Sequence, residues 1–317
     1  MKYIFLFLMV LAFSCSQKAQ NSSAENMITG ISEDNSVVKA GDDGFDVVKI
    51  DDVPDIPKGT TETSSAFIKQ RLEALVGNYF KSKCVENGIN YPPKFIMFRC
   101  FKLEKEFEVW AGNKRGDSLR RILYFRICAV DNQPGTKLQM GDGKTPEGFY
   151  NSALQYGSPN WFMWIKLDNS RIDTYGSEGT GSSFKMCLDY PNSLDIQRTK
   201  KLLKGRSPGS AICVHANCVT AGCVSFINRN YLPIFLAAAN HNSAAYGPIK
   251  IHIFPFRFDE VSESEKIGFS ENVPGMKKEQ VLETWNNLEE GYNLFNKTRK
   301  ALKIDIVNNT KYFYGIY

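Results

Sequence analysis

Ala211-Ile212-Cys213-Val214-His215-Ala216-Asn217-Cys218-Val219-Thr220-Ala221-Gly222-Cys223 places one of the chain's three histidines eight residues ahead of Cys223, which closes a Gly-Cys pair. Ile212 and Val214 alternate with Ala211, Cys213 and His215, the period-two pattern of a strand. The spacing predicts a rigid strand carrying His215 near its end, then a short loop that brings the chain back to Cys223. A thiol has an ordinary pKa of about 8.5, so it needs a base to become a nucleophile near neutral pH. A histidine held beside it can take that proton and later return it to a leaving amine. Gly222 leaves space for a close approach and permits a strained turn. The stretch reads as a β-rich scaffold that presents Cys223 as nucleophile and His215 as its base.

Outward from this stretch, the same alternation recurs. Lys94 to Lys102 reads as a strand, Phe107, Val109 and Trp110 as its return, and Leu103-Glu104-Lys105 as the turn between them. Arg121 to Val130 is a further strand with Leu123, Phe125 and Ile127 on one face, and Trp161 to Leu167 is another. Gly247-Pro248 opens a last core strand, Ile249 to Phe254, with Ile249, Ile251 and Ile253 in register and His252 opposite them, facing either the surface or the site. Helical spacing covers residues 66–80. A second helix starts near Asn228–Asn230, with Ile234 to Ala239 as its body. From Lys277 to Lys300, Val281, Trp285, Leu288, Tyr292 and Phe295 step by four and three, one face of an amphipathic helix packed back on the domain. The fold class is α+β, mainly β.

The ends bound the setting. Met1-Lys2-Tyr3 is followed by an unbroken apolar run from Ile4 to Phe13, a secretory signal in outline. The run is shorter than the roughly 20 apolar residues a membrane span needs. Its tail, Leu11-Ala12-Phe13-Ser14-Cys15, resembles a bacterial lipoprotein signal, which implies lipidation of Cys15. Residues 16–62 are poor in large apolar side chains and read as a disordered tether. Residues 63–90 form a helical lead-in, 91–258 the catalytic domain and 259–317 a C-terminal helical extension packed on it. The net charge of +5 is spread along the chain, so nothing points to nucleic acid. Of eight cysteines (15, 84, 100, 128, 187, 213, 218 and 223), seven remain if Cys15 is lipidated, an odd number that leaves a thiol over when the rest pair.

These blocks resemble a known family. Thr220-Ala221-Gly222-Cys223 is similar to the Ser/Thr-x-Gly-Cys signature of the L,D-transpeptidase catalytic domain (YkuD type). Val214 to Cys223 follows the Val-His-Gly-x-Cys-Val-Ser-x-Gly-Cys block of its YafK-like branch of murein enzymes, with Ala216 where that branch has glycine. Tyr91-Pro92-Pro93, Gly141 to Tyr150, Tyr190-Pro191-Asn192 with Asp195, and His252 to Arg257 resemble further blocks in the same order. Trp285, Leu288, Gly291, Tyr292 and Phe295 resemble the branch's C-terminal helix. The family's Ser-Gly-x-x-Gly-Pro-Lys loop reads Asp131 to Lys137 here, and only Gly135 and Lys137 survive.

The resemblance implies a β-sandwich catalytic domain with peripheral helices and a C-terminal helix. It implies that Cys223 attacks an amide carbonyl of a peptidoglycan stem peptide, with His215 as base and the backbone N–H groups of Gly222 and Cys223 facing the oxyanion. Thr220, Arg257 and Tyr190 are the candidate substrate-binding residues. No cofactor or metal is called for. The partners are peptidoglycan stem peptides, an envelope lipoprotein attached to peptidoglycan if the reaction is cleavage, and a membrane reached through the lipid anchor. The expected location is the periplasmic face of a bacterial membrane, the outer membrane in diderms. Transpeptidation and amidase cleavage share this nucleophile.

Other readings stand beside it. Cys223 is a structural thiol, or half of a disulfide with Cys218 or Cys213. Cys213, His215, Cys218 and Cys223 hold zinc, although their spacing lacks the paired Cys-x-x-Cys of common zinc modules. His215 is a satisfied core histidine, and His241 a solvated one. The protein as a whole is a non-catalytic wall-binding lipoprotein on the same scaffold, or a redox or metal-carrying envelope protein.

Overall fold

Seven consecutive buried side chains, Phe95–Phe101, mark a strand covered on both faces. The computed structural model describes residues 80–91, 93–127, 129–152, 185–216, 220–226 and 248–317. The signal at 1–15 with Cys15, the tether at 16–62, the helix at 66–80 except its last residue, the strand at Trp161–Leu167, the helix at Ile234–Ala239, Cys218 and His241 lie outside the described residues. A helical stretch over residues 80–86 is followed by β1 (Phe95–Phe101), β2 (Glu106–Gly112), β3 (Arg120–Arg126), β4 (Gly148–Asn151), β5 (Lys185–Cys187), α1 (Ser193–Leu202), β6 (Cys213–Ala216), β7 (Val224–Phe226), β8 (Lys250–Phe254), α2 (Glu263–Ser270), α3 (Lys278–Thr298), β9 (Leu302–Val307) and β10 (Lys311–Ile316). The described chain is mainly β, with mixed sheets and a few helices.

A five-stranded sheet runs β3-β2-β1-β8-β4, and a three-stranded one runs β5-β6-β7. In the first, β1 pairs antiparallel with β2 and parallel with β8. Its central place explains why all its residues are buried. Phe95 and Met97 pack with Trp110 and Phe295, and Phe101 joins the cluster around Trp285 and Tyr292. Residues 102–105 make the expected turn into β2, with Lys105 at φ +58. The strand expected over Arg121–Val130 stops at Arg126, although Leu123, Phe125 and Ile127 are all buried as the alternation requires. The chain leaves the sheet there because Ala129 bridges to Ser225 instead. A second bridge, Ser152 to Leu188, joins the end of β4 to the end of β5. The two sheets are therefore stitched together on both sides of the 211–223 stretch.

β8 is paired along both edges, by β1 and β4, and its side chains from Ile251 to Phe254 are buried on both faces. Ile249, Ile251 and Ile253 are buried as expected, but so is His252, at 1% exposure. It faces neither the surface nor a site: its ring meets Phe149 edge-on at 4.7 Å and Phe254 at 6.1 Å. Its Nδ1 has no hydrogen-bond partner among the described residues. Burial, with Arg99 and Lys250 nearby, holds its pKa well below the usual 6.5. The unfolded chain takes up this proton below about pH 6.5 and the folded chain does not, so the contribution to stability is complete above that pH and falls away as pH drops. Asp195, raised by burial to about 6, pulls the opposite way in the same window. The effect is therefore read as a difference: between pH 6.5 and 5, thermal melts of the wild type should lose stability faster than those of His252→Gln. Parallel curves would contradict this reading of His252.

α3 carries the predicted stripe: Val281, Trp285, Leu288, Tyr292 and Phe295 are all buried. Each such side chain contributes about 2 kcal/mol by leaving water. Gly291 lets the helix lie close to the sheet, where a Cβ would sit 2.5 Å from the Tyr314 ring and 2.8 Å from Phe149. The 259–317 segment is not helical throughout. After α3 it forms a hairpin, β9 against β10. Asn308 and Asn309, both at positive φ, make its turn, and this Asn-Asn pair between alternating residues is the signal for it. Asn192 and Asp195 are a second such signal: Asn192 caps α1 by accepting from the Leu194 and Asp195 N–H groups, and Asp195 accepts from the Asn192 N–H in return.

Candidate active site

The site is built on a buried charge. Lys102, at the end of β1, is fully buried and donates to Glu147 Oε1 (2.9 Å), to the Gly135 carbonyl (2.7 Å) and to the Thr145 carbonyl (3.2 Å). Glu147 also accepts from the Gly135 N–H (2.7 Å) and, through Oε2, from the Trp285 indole N–H (2.9 Å). A buried ion pair holds only when the remaining lone pairs and protons are satisfied in this way. One end of loop 131–147 is thereby tied to β1 and α3. The middle is tied by Asp142, which accepts from Lys137 Nζ (2.6 Å) and from the N–H groups of Leu138 (2.8 Å), Gln139 (2.9 Å) and Lys144 (3.0 Å). Burial works against the Asp142 charge, but the Lys137 ammonium and those N–H groups hold its carboxyl below the usual carboxylate range. Gly135 and Lys137, the two survivors of the 131–137 loop pattern, are thus parts of the loop's internal scaffold.

The Cys223 turn rests on this loop. Thr220 Oγ1 donates to the Cys223 carbonyl (2.8 Å) and accepts from the Gly222 N–H (3.2 Å). Gly222 has φ +120, and a Cβ on it would come 2.5 Å from the Lys144 carbonyl oxygen. Both the backbone conformation and the contact exclude a side chain there. The N–H expected to face an oxyanion is already given to Thr220, so the part played by Gly222 is the turn and the close approach. Gly222→Ala should displace the neighbouring Cys223 thiol, and a misplacement of about 1 Å is enough to cut about 100-fold or more from a turnover that uses that sulfur. Steady-state kinetics beside the wild type check this, and unchanged kcat would contradict it.

Cys223 is half-buried at the mouth of β7 and stands as a thiol. The Cys213 N–H points at its Sγ (3.4 Å), and the Ala211 carbonyl oxygen lies 3.7 Å from it. Ala211 is exposed at φ +60, so it is a turn residue and not the strand position that its alternation suggested. Ile212 and Val214 are buried as expected. β6 and β7 run parallel, with Val214 beside Val224 and His215 beside Ser225. One position back, Cys213 lies beside Cys223, as the 3.4 Å contact requires. The backbone of His215 is thus two residues along the strand adjacent to the cysteine.

Cys213 is bonded to Cys187, its register partner on β5. The suggested Cys213–Cys223 bridge is therefore not the bond present, and a zinc set that includes Cys213 loses that ligand. Cys84 and Cys100 are buried, and burial pushes both thiols up to about 12. Among the described cysteines, Cys223 alone combines a thiol with partial exposure.

The structure brings Thr220, Gly222 and Cys223 together, but not Tyr190 or Arg257. Tyr190 is buried, with its hydroxyl donated to the Pro208 carbonyl (3.0 Å) and its ring against Tyr150. Arg257 gives Nε to Glu106 (2.6 Å) and Nη2 to Glu108 (2.9 Å), and lies 3.9 Å over the Phe101 ring. No described contact links either residue to the Cys223 turn. What the spacing did not reveal is the Lys102–Glu147–Trp285 group, whose members are 45 and 138 residues apart.

Several of the blocks singled out in the sequence thus meet at Gly141–Tyr150. Gly141–Tyr150 backs the Cys223 turn through Lys144, touches α3 through Glu147, and meets α1 where the Tyr150 hydroxyl donates to Asp195 (3.1 Å). A protein of Escherichia coli strain K12 named "Putative L,D-transpeptidase YafK" is 22% identical over 213 residues, 67% of this chain and 71% of its own length. The chain resembles YafK. The protein of that name in Escherichia coli O157:H7 matches to the same extent, 22% over 213 residues. No family model matches the chain. Among solved structures, the helical cell shape determining protein Pgp2 of Campylobacter jejuni is similar over 72% of this chain and 80% of its own, at 17% identity and a TM-score of 0.32. Bd1075 of Bdellovibrio bacteriovorus is similar over 68% and 75%, at 18% identity and a TM-score of 0.28.

Proposed function

We propose that this chain is a cell-envelope cysteine enzyme acting on peptidoglycan stem peptides through an acyl-enzyme on Cys223. The observation that carries this reading is the Cys223 thiol itself. It is half-exposed, kept out of the Cys187–Cys213 disulfide, and fixed by a turn that has no room for any residue but glycine at position 222. The YafK likeness supports the substrate class. The bridged five-stranded and three-stranded sheets are, in this reading, the two leaves of an L,D-transpeptidase-type β-sandwich.

In the proposed reaction His215 takes the Cys223 proton and the thiolate attacks an amide carbonyl of the stem peptide. The tetrahedral species collapses, the C–N bond breaks, and His215 returns the proton to the departing amine. The thioester then passes its acyl group to an amine, which forms a cross-link, or to water, which completes a cleavage from meso-diaminopimelate. Either route restores the thiol. Thr220 acts as a positioning residue through its two bonds to the turn. The enzyme works at the periplasmic face of a membrane, anchored through Cys15. A binding-only wall protein would have no need of a cysteine presented in this way. Purified sacculi treated with the protein, digested and analysed by mass spectrometry, should show new cross-links or lost adducts with the wild type and neither with Cys223→Ala. An unchanged muropeptide profile with the wild type would overturn the proposal.

A further inference from the structure

Three cysteines lie in one row across three adjacent strands. The strand order is β5-β6-β7, Cys187 is the register partner of Cys213, and Cys223 lies beside Cys213 on the other side. The Cα atoms of Cys187 and Cys213 are 3.8 Å apart, and neighbouring strands lie about 4.8 Å apart, so Cys223, one strand over from Cys213, is within the Cα range that a disulfide spans. The middle sulfur therefore has a bonded partner on one flank and a thiol on the other. The Ala211 carbonyl oxygen lies 3.5 Å from Cys213 Sγ and 3.7 Å from Cys223 Sγ, so one backbone oxygen borders both sulfurs. Substitution at a disulfide sulfur needs the nucleophile on the side away from the leaving group, and the strand order puts Cys223 on the flank of Cys213 opposite Cys187.

We propose that Cys187, Cys213 and Cys223 form an internal thiol–disulfide relay. The Cys223 thiolate attacks Cys213 Sγ, the Cys213–Cys223 bond forms, and the Cys187–Cys213 bond breaks. The bonding pair leaves on the Cys187 sulfur, which takes up the proton that Cys223 gave to solvent. One disulfide is exchanged for another, so no oxidant or reductant is consumed. The exchange converts the exposed thiol into a half-cystine and passes the thiol to Cys187, which is buried at 7% exposure. In that state Cys223 is shielded from the oxidation that half-exposed thiolates undergo, and it is silent towards acyl donors until the reverse step restores it. The silencing rests on the proposed function, whereas the exchange itself needs only the row.

The test uses the full chain. The wild type is held at pH 8 without reductant, quenched in acid to stop further exchange, cleaved with pepsin at low pH and mapped by mass spectrometry. The relay predicts two species, one with Cys187 linked to Cys213 and one with Cys213 linked to Cys223 and Cys187 as a thiol. Cys223→Ser should show the first alone. In Cys187→Ser, oxidised glutathione should close a Cys213–Cys223 bond with loss of two hydrogens and of carbapenem capture, and dithiothreitol should restore capture. Only the native linkage in the wild type, or mixed glutathione adducts without the internal bond in Cys187→Ser, would overturn the relay. Bridging without any acylation by a β-lactam sinks the proposed function and leaves the relay standing, and acylation without bridging does the reverse.

Discussion

Cys223→Ala should lose peptidoglycan turnover by about three orders of magnitude or more, the scale seen when a nucleophile that acts as part of a unit is removed. Its fold should persist. The side chain is half-buried, and its described contacts through sulfur are one N–H at 3.4 Å and one carbonyl at 3.7 Å. Loss of such contacts costs about 1 kcal/mol or less, which for a domain of this size moves the melting temperature by about 2–4 °C. Turnover of sacculi and a thermal melt, run on one preparation, separate the two effects. A folded Cys223→Ala protein with retained turnover would remove the mechanism. A variant that fails to fold would instead mean that the cysteine is structural.

Glu147→Ala should be among the most destabilising single changes in the described residues. It strands the buried Lys102 ammonium and removes the acceptor of the Gly135 N–H and of the Trp285 indole N–H. Taking one partner from a buried ion pair costs about 3–5 kcal/mol, because the remaining charge has no water to turn to. That corresponds to a fall of about 10 °C or more in melting temperature. Asp131, 3.4 Å from the same ammonium, offsets part of the loss. Replacing both partners, as in Lys102→Met with Glu147→Leu, should recover much of the stability, since an apolar pair of similar volume often matches a buried ion pair. Activity in the double variant should stay low, because the bonds that seat loop 131–147 against Gly222 are still gone. A Glu147→Ala melt within about 2 °C of the wild type would contradict this account of the loop.

Much of this fold could be read in advance where one periodicity governs one element. The α3 stripe from Val281 to Phe295 and the β1–β2 hairpin are local patterns, and their burial follows from them directly. The turn at Thr220–Cys223 was legible because a strained turn and a close approach both call for glycine at position 222. Pattern failed where burial came from the other side of a sheet. His252 alternates with isoleucines as a surface residue would, yet β1 and β4 flank its strand and aromatic rings cover it. Pairings over long separations carried no signal either: Cys187 with Cys213, Lys102 with Glu147, and Glu147 with Trp285 meet only after the strands are in register. The partners of Arg257 and Tyr190, namely Glu106, Glu108 and the Pro208 carbonyl, carried no sequence signal for the same reason.

The central claim is that the Cys223 sulfur is the reacting atom. Intact mass spectrometry of the full chain with a carbapenem, followed by peptide mapping of the adduct, addresses it most directly. The account predicts one adduct per chain, on Cys223, absent from Cys223→Ser and formed at an unchanged rate in Lys311→Ala, a remote surface variant. No adduct on the folded wild type, or an adduct mapped to a different residue, would contradict it.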